Sequence, residues 1–346
     1  MTVRCLQPVL VVAALALAGC DDVLVFDVAP DGRLLVACDA AGRAAAVGDG
    51  KAKRCLAWVD PTTGEATALT RTPRALAWPR ALPEGAALAI EDRTRLVRFD
   101  RAGQPTEVLR GERRLVQPTP SPDGARVALL EVERLGLPGT LRVHALADGR
   151  ELLRVDGALP GFAWAGDVLV AGVARGPREE PWSSGPGALV ALKGGDRRVL
   201  HEGELAAVVW VAPGRGGRLV CTLPAGDTPL GLARVELGLP APLAGEATGV
   251  CDLWPALAPD GRLLFTRAAP EEPSLEGALR LAHVDDLATS SPVPTETPAS
   301  APRWVGPDRV AYVTPDDHLV LQGLDGQRRI DLTARLRAAC FGDGPP

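Results

Sequence analysis

Trp254-Pro-Ala-Leu-Ala-Pro-Asp-Gly-Arg-Leu-Leu-Phe-Thr266 runs one apolar strand into Pro259-Asp260-Gly261 and a second strand straight out of it. Proline presets φ at the second position of a tight turn. Aspartate can bond its own backbone, and glycine accepts a positive φ at no steric cost. The flanking β-branched and aromatic residues suit a pleated surface. The stretch therefore reads as a hairpin. It recurs as Phe26-Asp-Val-Ala-Pro-Asp-Gly-Arg-Leu-Leu-Val-Ala37 and as Gln117-Pro-Thr-Pro-Ser-Pro-Asp-Gly-Ala-Arg-Val-Ala128. Looser copies surround Pro83-Glu84-Gly85 and Gly306-Pro307-Asp308, and degenerate ones surround Gly166-Asp167 and the run from Pro213 to Gly217.

Each copy is followed by a second hairpin signature, such as Leu56-Ala-Trp-Val-Asp-Pro-Thr-Thr-Gly64 or Leu141-Arg-Val-His-Ala-Leu-Ala-Asp-Gly149. The two kinds alternate, and the phrase returns about every 46 residues, the length of one four-stranded propeller blade. The expected fold is all-β, a seven-bladed β-propeller of four-stranded antiparallel blades, with six blades as the alternative. The expected blades span about 22–70, 71–110, 111–156, 157–201, 202–245, 246–293 and 294–335, within one domain over 20–340. A short helix or capping turn is expected between Asp331 and Ala339, and 336–346 reads as a tail.

The pairing of the Pro-Asp-Gly phrase with the Leu-x-Val-x-Asp-x-x-x-Gly signature resembles the WD40-like Pro-Asp repeat of TolB-type propellers. It is similar to the propellers of the dipeptidyl-peptidase class as well. The resemblance covers about residues 22–335. It departs from TolB in the expected absence of a separate N-terminal α/β domain. It departs from the peptidases in the expected absence of an α/β-hydrolase domain, so their catalytic serine has no counterpart.

Composition agrees with a turn-rich, well-cored protein: 38 Gly and 32 Pro are spread along a chain that is 46% hydrophobic. A net charge of −5 without a basic stripe argues against a nucleic-acid partner. At the N-terminus, Arg4 precedes the apolar run Val9–Ala18, which is too short to span a bilayer comfortably. Leu17, Ala18 and Gly19 before Cys20 look like a bacterial lipobox, with 1–19 as the signal peptide and Cys20 as the lipidated residue. The lipid would hold the protein to the membrane. Asp21 resembles an inner-membrane retention signal, so the expected location is the cell envelope, facing the periplasm.

Cys5 and Cys20 are assigned to the signal peptide and the lipid. An oxidising compartment then permits disulfides among the other cysteines. Cys38 ends one expected strand and Cys55 begins the next, so these two are the expected pair. Cys221 with Cys251 is a weaker one, and Cys340 is left over. No C-x-x-C occurs, which gives no support to a zinc or thioredoxin-like site.

Most conspicuous residues have a structural explanation. Asp31, Asp123 and Asp260 belong to their turns, and Trp58, Trp78, Trp164, Trp210, Trp254 and Trp304 to packing between blades. His144, His201, His283 and His318 show no metal-binding spacing. No catalytic residue, metal or cofactor is expected. Trp182 differs: it lies in the charged loop Arg175–Gly187 and suits an interface anchor. With Glu179, Glu180, Glu271 and Glu272 it would share a face formed by the long loops, where binding on a rigid scaffold usually resides. The expected function is a lipid-anchored, non-enzymatic scaffold for a periplasmic or envelope protein. The alternatives are a propeller lyase or hydrolase with an axial site, and a small-ligand or sugar sensor, for which 4% aromatic residues offer little.

Overall fold

A computed structural model describes residues 26–40, 42, 53–178, 180, 183–206, 208–214, 218–225, 228–237, 243–244, 251–268 and 276–342. Its strands fall into consecutive antiparallel runs of four. The first is β1 (Phe26–Val28), β2 (Leu34–Cys38), β3 (Lys53–Val59) and β4 (Ala66–Ala81). Strand β4 is long enough to serve twice. Its first half pairs with β3 and its second half opens the next run, β5 (Ala87–Glu91), β6 (Arg95–Phe99) and β7 (Pro105–Arg110).

Next come β8 (Arg114–Pro120), β9 (Arg126–Val132), β10 (Gly139–Ala145) and β11 (Glu151–Ala158). These are followed by β12 (Ala163–Ala165), β13 (Val168–Ala174), β14 (Gly185–Lys193) and β15 (Asp196–Leu205). The fifth run is β16 (Val211–Pro213), β17 (Arg218–Ala225), β18 (Thr228–Glu236) and β19 (Leu243–Ala244). The sixth is β20 (Cys251–Leu257), β21 (Arg262–Ala268), β22 (Ala278–His283) and β23 (Asp286–Pro292). The last is β24 (Ser300–Trp304), β25 (Arg309–Val313), β26 (Leu319–Gly323) and β27 (Ile330–Asp331), closed by helix α1 (Thr333–Phe341).

The chain groups into two compact units. Among the described residues, one holds those of 26–132, 142–152 and 303–342, and the other those of 133–141 and 153–302. In the first unit, Phe26, Leu34, Val36, Val59, Ala311, Val313, Leu319 and Leu321 form a core with Leu332 and Leu336. In the second, Leu189, Val209, Leu219, Leu223 and Val235 form one core, and Val220, Leu263 and Phe265 another.

The turn chemistry is as the repeat implies. The Asp31, Asp123 and Asp260 carboxylates accept the N–H of Arg33, Ala125 and Arg262 at about 3.1 Å. Asp60, Asp100, Asp148 and Asp325 do the same in the second hairpin of their runs. The looser copy differs. Glu84 is one methylene too long for this local bond, and it sits at φ 63° beside Gly85 at φ 78°.

The first strands of several runs carry a feature not foreseen from the sequence. Trp78, Gln117 and Trp254 lie at φ 53–55°, each within a register shift of the ladder. Each precedes a proline, Pro79, Pro118 or Pro255, and Ala301 before Pro302 repeats the conformation at φ 48°. Proline has no N–H to give the ladder, so the strand bulges there and the following side chain is re-aimed.

The expected Cys38–Cys55 disulfide is not the one that forms. Cys38 and Cys55 do stand opposite each other in the ladder, yet Cys55 is bonded to Cys340. The reason is α1. Leu332, Leu336 and Cys340 recur every four residues, so one helical face carries all three into the core. That face delivers the Cys340 sulfur to the end of β3. Cys38 remains a thiol and donates to Cys340 Sγ at 3.5 Å. The Cys221–Cys251 pair is not formed either; both are buried thiols.

Candidate functional site

The long loop between β13 and β14 contains most of the expected partner-binding residues. Glu179 and Trp182, with Glu271 and Glu272 of a second loop, lie outside the described residues, as do Leu17, Ala18, Gly19 and Cys20 of the lipobox. Glu180 is exposed, and its carbonyl accepts the Ser183 hydroxyl at 2.7 Å. The residue that organises the described part of this loop is Arg178. Its guanidinium donates to the carbonyls of Ser183 at 2.7 Å and of Gly185 and Leu205 at 3.1 Å. Burial pushes its pKa down, and Glu204 opposes that shift. Arg175 pairs with Glu202 on β15 at the same end of the loop. An arginine in a charged loop reads as solvated from sequence alone; only the convergence of three carbonyls reveals it as a tether.

A second group of residues comes from strands that open their runs. Asp27 pairs with Leu35, Arg80 with Leu88 and Thr119 with Ala128, each two places before the residue that closes its hairpin turn. Arg303 is likewise two places before Val305, whose N–H closes the turn to the Arg309 carbonyl. Asp27, Arg80 and Arg303 therefore share one register slot. Arg80 Nε donates to the Pro118 carbonyl at 2.6 Å, and its Nη1 lies 3.7 Å from Asp27 Oδ1. Asp27 Oδ2 accepts the Ala81 N–H at 2.9 Å. Burial lowers the pKa of Arg80, with Asp27 opposing. Arg303 falls to about 10, through burial first and the like charge of Arg80 second, against the pull of Asp27. The sequence signal for Arg80 and Arg303 was the proline directly before each, Pro79 and Pro302; Asp27 follows Phe26 and has no such signal.

Other buried charges are explained by their partners. Glu131 on β9 accepts the N–H groups of Glu112 and Arg113 at 2.9 and 3.0 Å and Arg142 Nη1 at 3.0 Å. Asp252 and Arg267 form a two-point pair at 2.7 and 2.9 Å across β20 and β21. His144 is buried on β10 with its Nδ1 2.8 Å from the Gly149 carbonyl. His318 Nδ1 lies 2.7 Å from Asp331 Oδ2, which joins the start of β26 to β27. Trp58, Trp78, Trp164 and Trp254 are buried, and the rings of Trp210 and Trp254 pack with centroids 4.9 Å apart. Trp210 and Trp304 are half-buried.

No protein-family model matches the chain, and no curated protein does. Solved structures do match. The β-propeller domain of the Trilobed protease from Pyrococcus furiosus aligns over 90% of this chain and 95% of its own, at 10% identity and a TM-score of 0.59. A puromycin-hydrolysing peptidase of Mycobacterium tuberculosis aligns over 93% of this chain, at 16% identity and a TM-score of 0.62. This chain spans 54% of that peptidase's length. TolB from Acinetobacter baumannii aligns over 82% of this chain and 76% of its own, at 14% identity and a TM-score of 0.51. The chain thus has the β-propeller fold that TolB shares with the propeller domains of these peptidases.

Proposed function

We propose that this protein is a non-enzymatic β-propeller scaffold, held in the bacterial envelope by lipid on Cys20, that binds a periplasmic or envelope protein through its long-loop face. The observation that carries the reading is the Arg178 tether: three carbonyl bonds fix the base of the loop that contains Glu180. A loop whose base is fixed before encounter loses less conformational freedom on binding. The likeness to TolB supports a scaffold role at the level of fold. The test is affinity capture after crosslinking, from membranes bearing the tagged protein or a variant with residues 179–184 replaced by Gly and Ser, Arg178 retained. One captured protein that is lost with the replacement is the expected result. Identical captures from both would reject the loop as the interface.

The peptidase propellers favour a second reading, a propeller-type hydrolase. It requires a nucleophile, and an activity-based fluorophosphonate probe would label the chain. Lack of labelling together with loop-dependent capture separates the two readings in favour of the scaffold.

A further inference from the structure

We propose that Cys38, Cys55 and Cys340, once the Cys55–Cys340 bond is reduced, bind one trivalent arsenic centre of the arsenite class through three sulfurs. The inference is independent of the long-loop partner and of the lipid on Cys20. It begins from where three cysteines meet. Cys38 ends β2, Cys55 lies on β3 and Cys340 lies in the last turn of α1, and all three side chains are fully buried. Their sulfurs lie within 4.8 Å of one another, with Cys38 Sγ 3.5 Å from Cys340 Sγ. A buried cysteine often serves only as a small apolar side chain; Cys38 instead faces two other sulfurs. The three form a triangle, and Cys38 does not stand in line behind the Cys55–Cys340 bond as thiol–disulfide exchange requires.

The size of the triangle fits one three-coordinate centre. With sulfur bonds of about 2.3 Å, the length that thiolates make to zinc, a flat centre sets its sulfurs about 4 Å apart and a pyramidal one about 3.5 Å. Charge then chooses the occupant. The sulfurs share a core with Val36, Ala57, Leu332 and Leu336, and burying net charge there is costly. Three thiolates leave a net negative charge around Cu(I) or Zn(II). Zinc also takes a fourth ligand, and among the described residues no His, Asp or Glu joins the three sulfurs. Trivalent arsenic cancels the charge of three thiolates and completes its coordination with them.

The step balances without leaving charge in the core. A two-electron reductant, a dithiol in the cell or a phosphine in vitro, cleaves the Cys55–Cys340 bond and is itself oxidised. Arsenous acid then exchanges three As–O bonds for three As–S bonds. Each thiol proton leaves with a hydroxyl group as water, and arsenic stays trivalent. Cys340 lies in the last turn of α1; helix ends fray, which admits a small neutral molecule. The bound centre ties β2, β3 and α1 together in place of the bond that was broken.

The test is intact-mass measurement and thermal unfolding of the full chain, oxidised or reduced with a phosphine, across a titration with arsenite. The reduced wild type should gain the mass of one arsenic less three protons, and its melting temperature should rise saturably, as binding to the folded state requires. The oxidised protein should gain no such mass. Cys38→Ala keeps the disulfide, but its reduced form should bind about tenfold more weakly or worse, because the third sulfur acts at high effective concentration. Equal binding by reduced Cys38→Ala and reduced wild type would overturn the three-sulfur site, and so would no uptake by the reduced wild type. A larger stabilisation by Zn(II) or Cu(I) than by arsenite would overturn the arsenic assignment. If the reduced wild type unfolds, refolding with arsenite present decides: no recovery of the folded state rejects the proposal. If Cys38→Ala does not fold, reduced Cys55→Ala is read in the same way.

Discussion

Cys38 Sγ lies 3.5 Å from Cys340 Sγ, although the covalent partner of Cys340 is Cys55. The three sulfurs lie within 4.8 Å of one another. Cys340→Ser therefore leaves Cys38 and Cys55 facing each other on β2 and β3, and oxidative refolding of this variant should join them. Peptide mapping under non-reducing conditions checks the new bond. The native bridge closes a span of 285 residues, the substitute one of about 17. On loop-closure entropy alone the variant should be less stable by about 2.5 kcal/mol. Recovery of full stability would show that the long loop contributes nothing.

Burial pushes the Cys38 thiol up to about 12, with Asp39 adding to the shift. Burial alone pushes Cys221 up to about 12. Cys251 rises to about 11, through burial and then Asp252. The reactive thiolate is scarce in all three at neutral pH. Titration of the folded protein with a thiol reagent at pH 8 should find these three silent, and denaturant should release all of them. Rapid labelling of Cys38 in the folded state would contradict the packing of α1 over β3.

The turns were legible because their chemistry is local. Asp31, Asp123 and Asp260 bond within their own four residues, so Pro-Asp-Gly declares itself wherever it stands. The strands and the buried tryptophans followed from the same repeat. The Cys55–Cys340 bond was not legible, because it depends on which face of α1 turns inward 285 residues later. Arg178 was missed because its partners are main-chain carbonyls of Ser183, Gly185 and Leu205, and carbonyls leave no trace in sequence. The slot of Asp27, Arg80 and Arg303 had a partial signal in the prolines at 79 and 302. Aligning the repeats on the turn alone does not reveal that a bulge re-aims the next residue.

His144 gives a pH dependence with a definite sign. Burial holds its pKa below the ordinary 6.5, and the bond to the Gly149 carbonyl only partly opposes this. A base with a depressed folded pKa binds its proton more readily when unfolded. Its neutral form contributes stability above pH 6.5, and that contribution is lost as pH falls from 6.5 toward the folded value. Burial lowers His201 as well, with the same sign. Denaturant midpoints should fall between pH 7 and pH 5, and His144→Gln should flatten that slope. An unchanged slope in the variant would place the proton uptake elsewhere.

Glu84 offers a stabilising change. It is an exposed, non-glycine residue at φ 63°, a region that costs most side chains roughly 1 kcal/mol or more. Asparagine tolerates this conformation better. Glu84→Asn should raise stability by about 0.5–1 kcal/mol, read as a rise in the urea midpoint at constant slope. No change would mean that the turn relaxes to accommodate either residue.

Glu131 closes three donors at once, and its loss should be correspondingly large. Burial by itself would raise its carboxyl, but the Arg113 N–H and Arg142, with the Glu112 N–H, hold it below the ordinary 4.5. Glu131→Ala removes the acceptor for both N–H groups and leaves Arg142, 20% exposed, with Glu151 as its remaining ion pair. Breaking a buried pair of this kind costs about 3 kcal/mol. The difference between wild type and variant should be complete above pH 4.5 and should shrink as pH falls through the depressed folded value, because the wild-type carboxylate is then protonated too. Urea unfolding at pH 7 and pH 3 checks both parts. A deficit that is the same at the two pH values would mean that Glu131 acts through its packing and not through its charge.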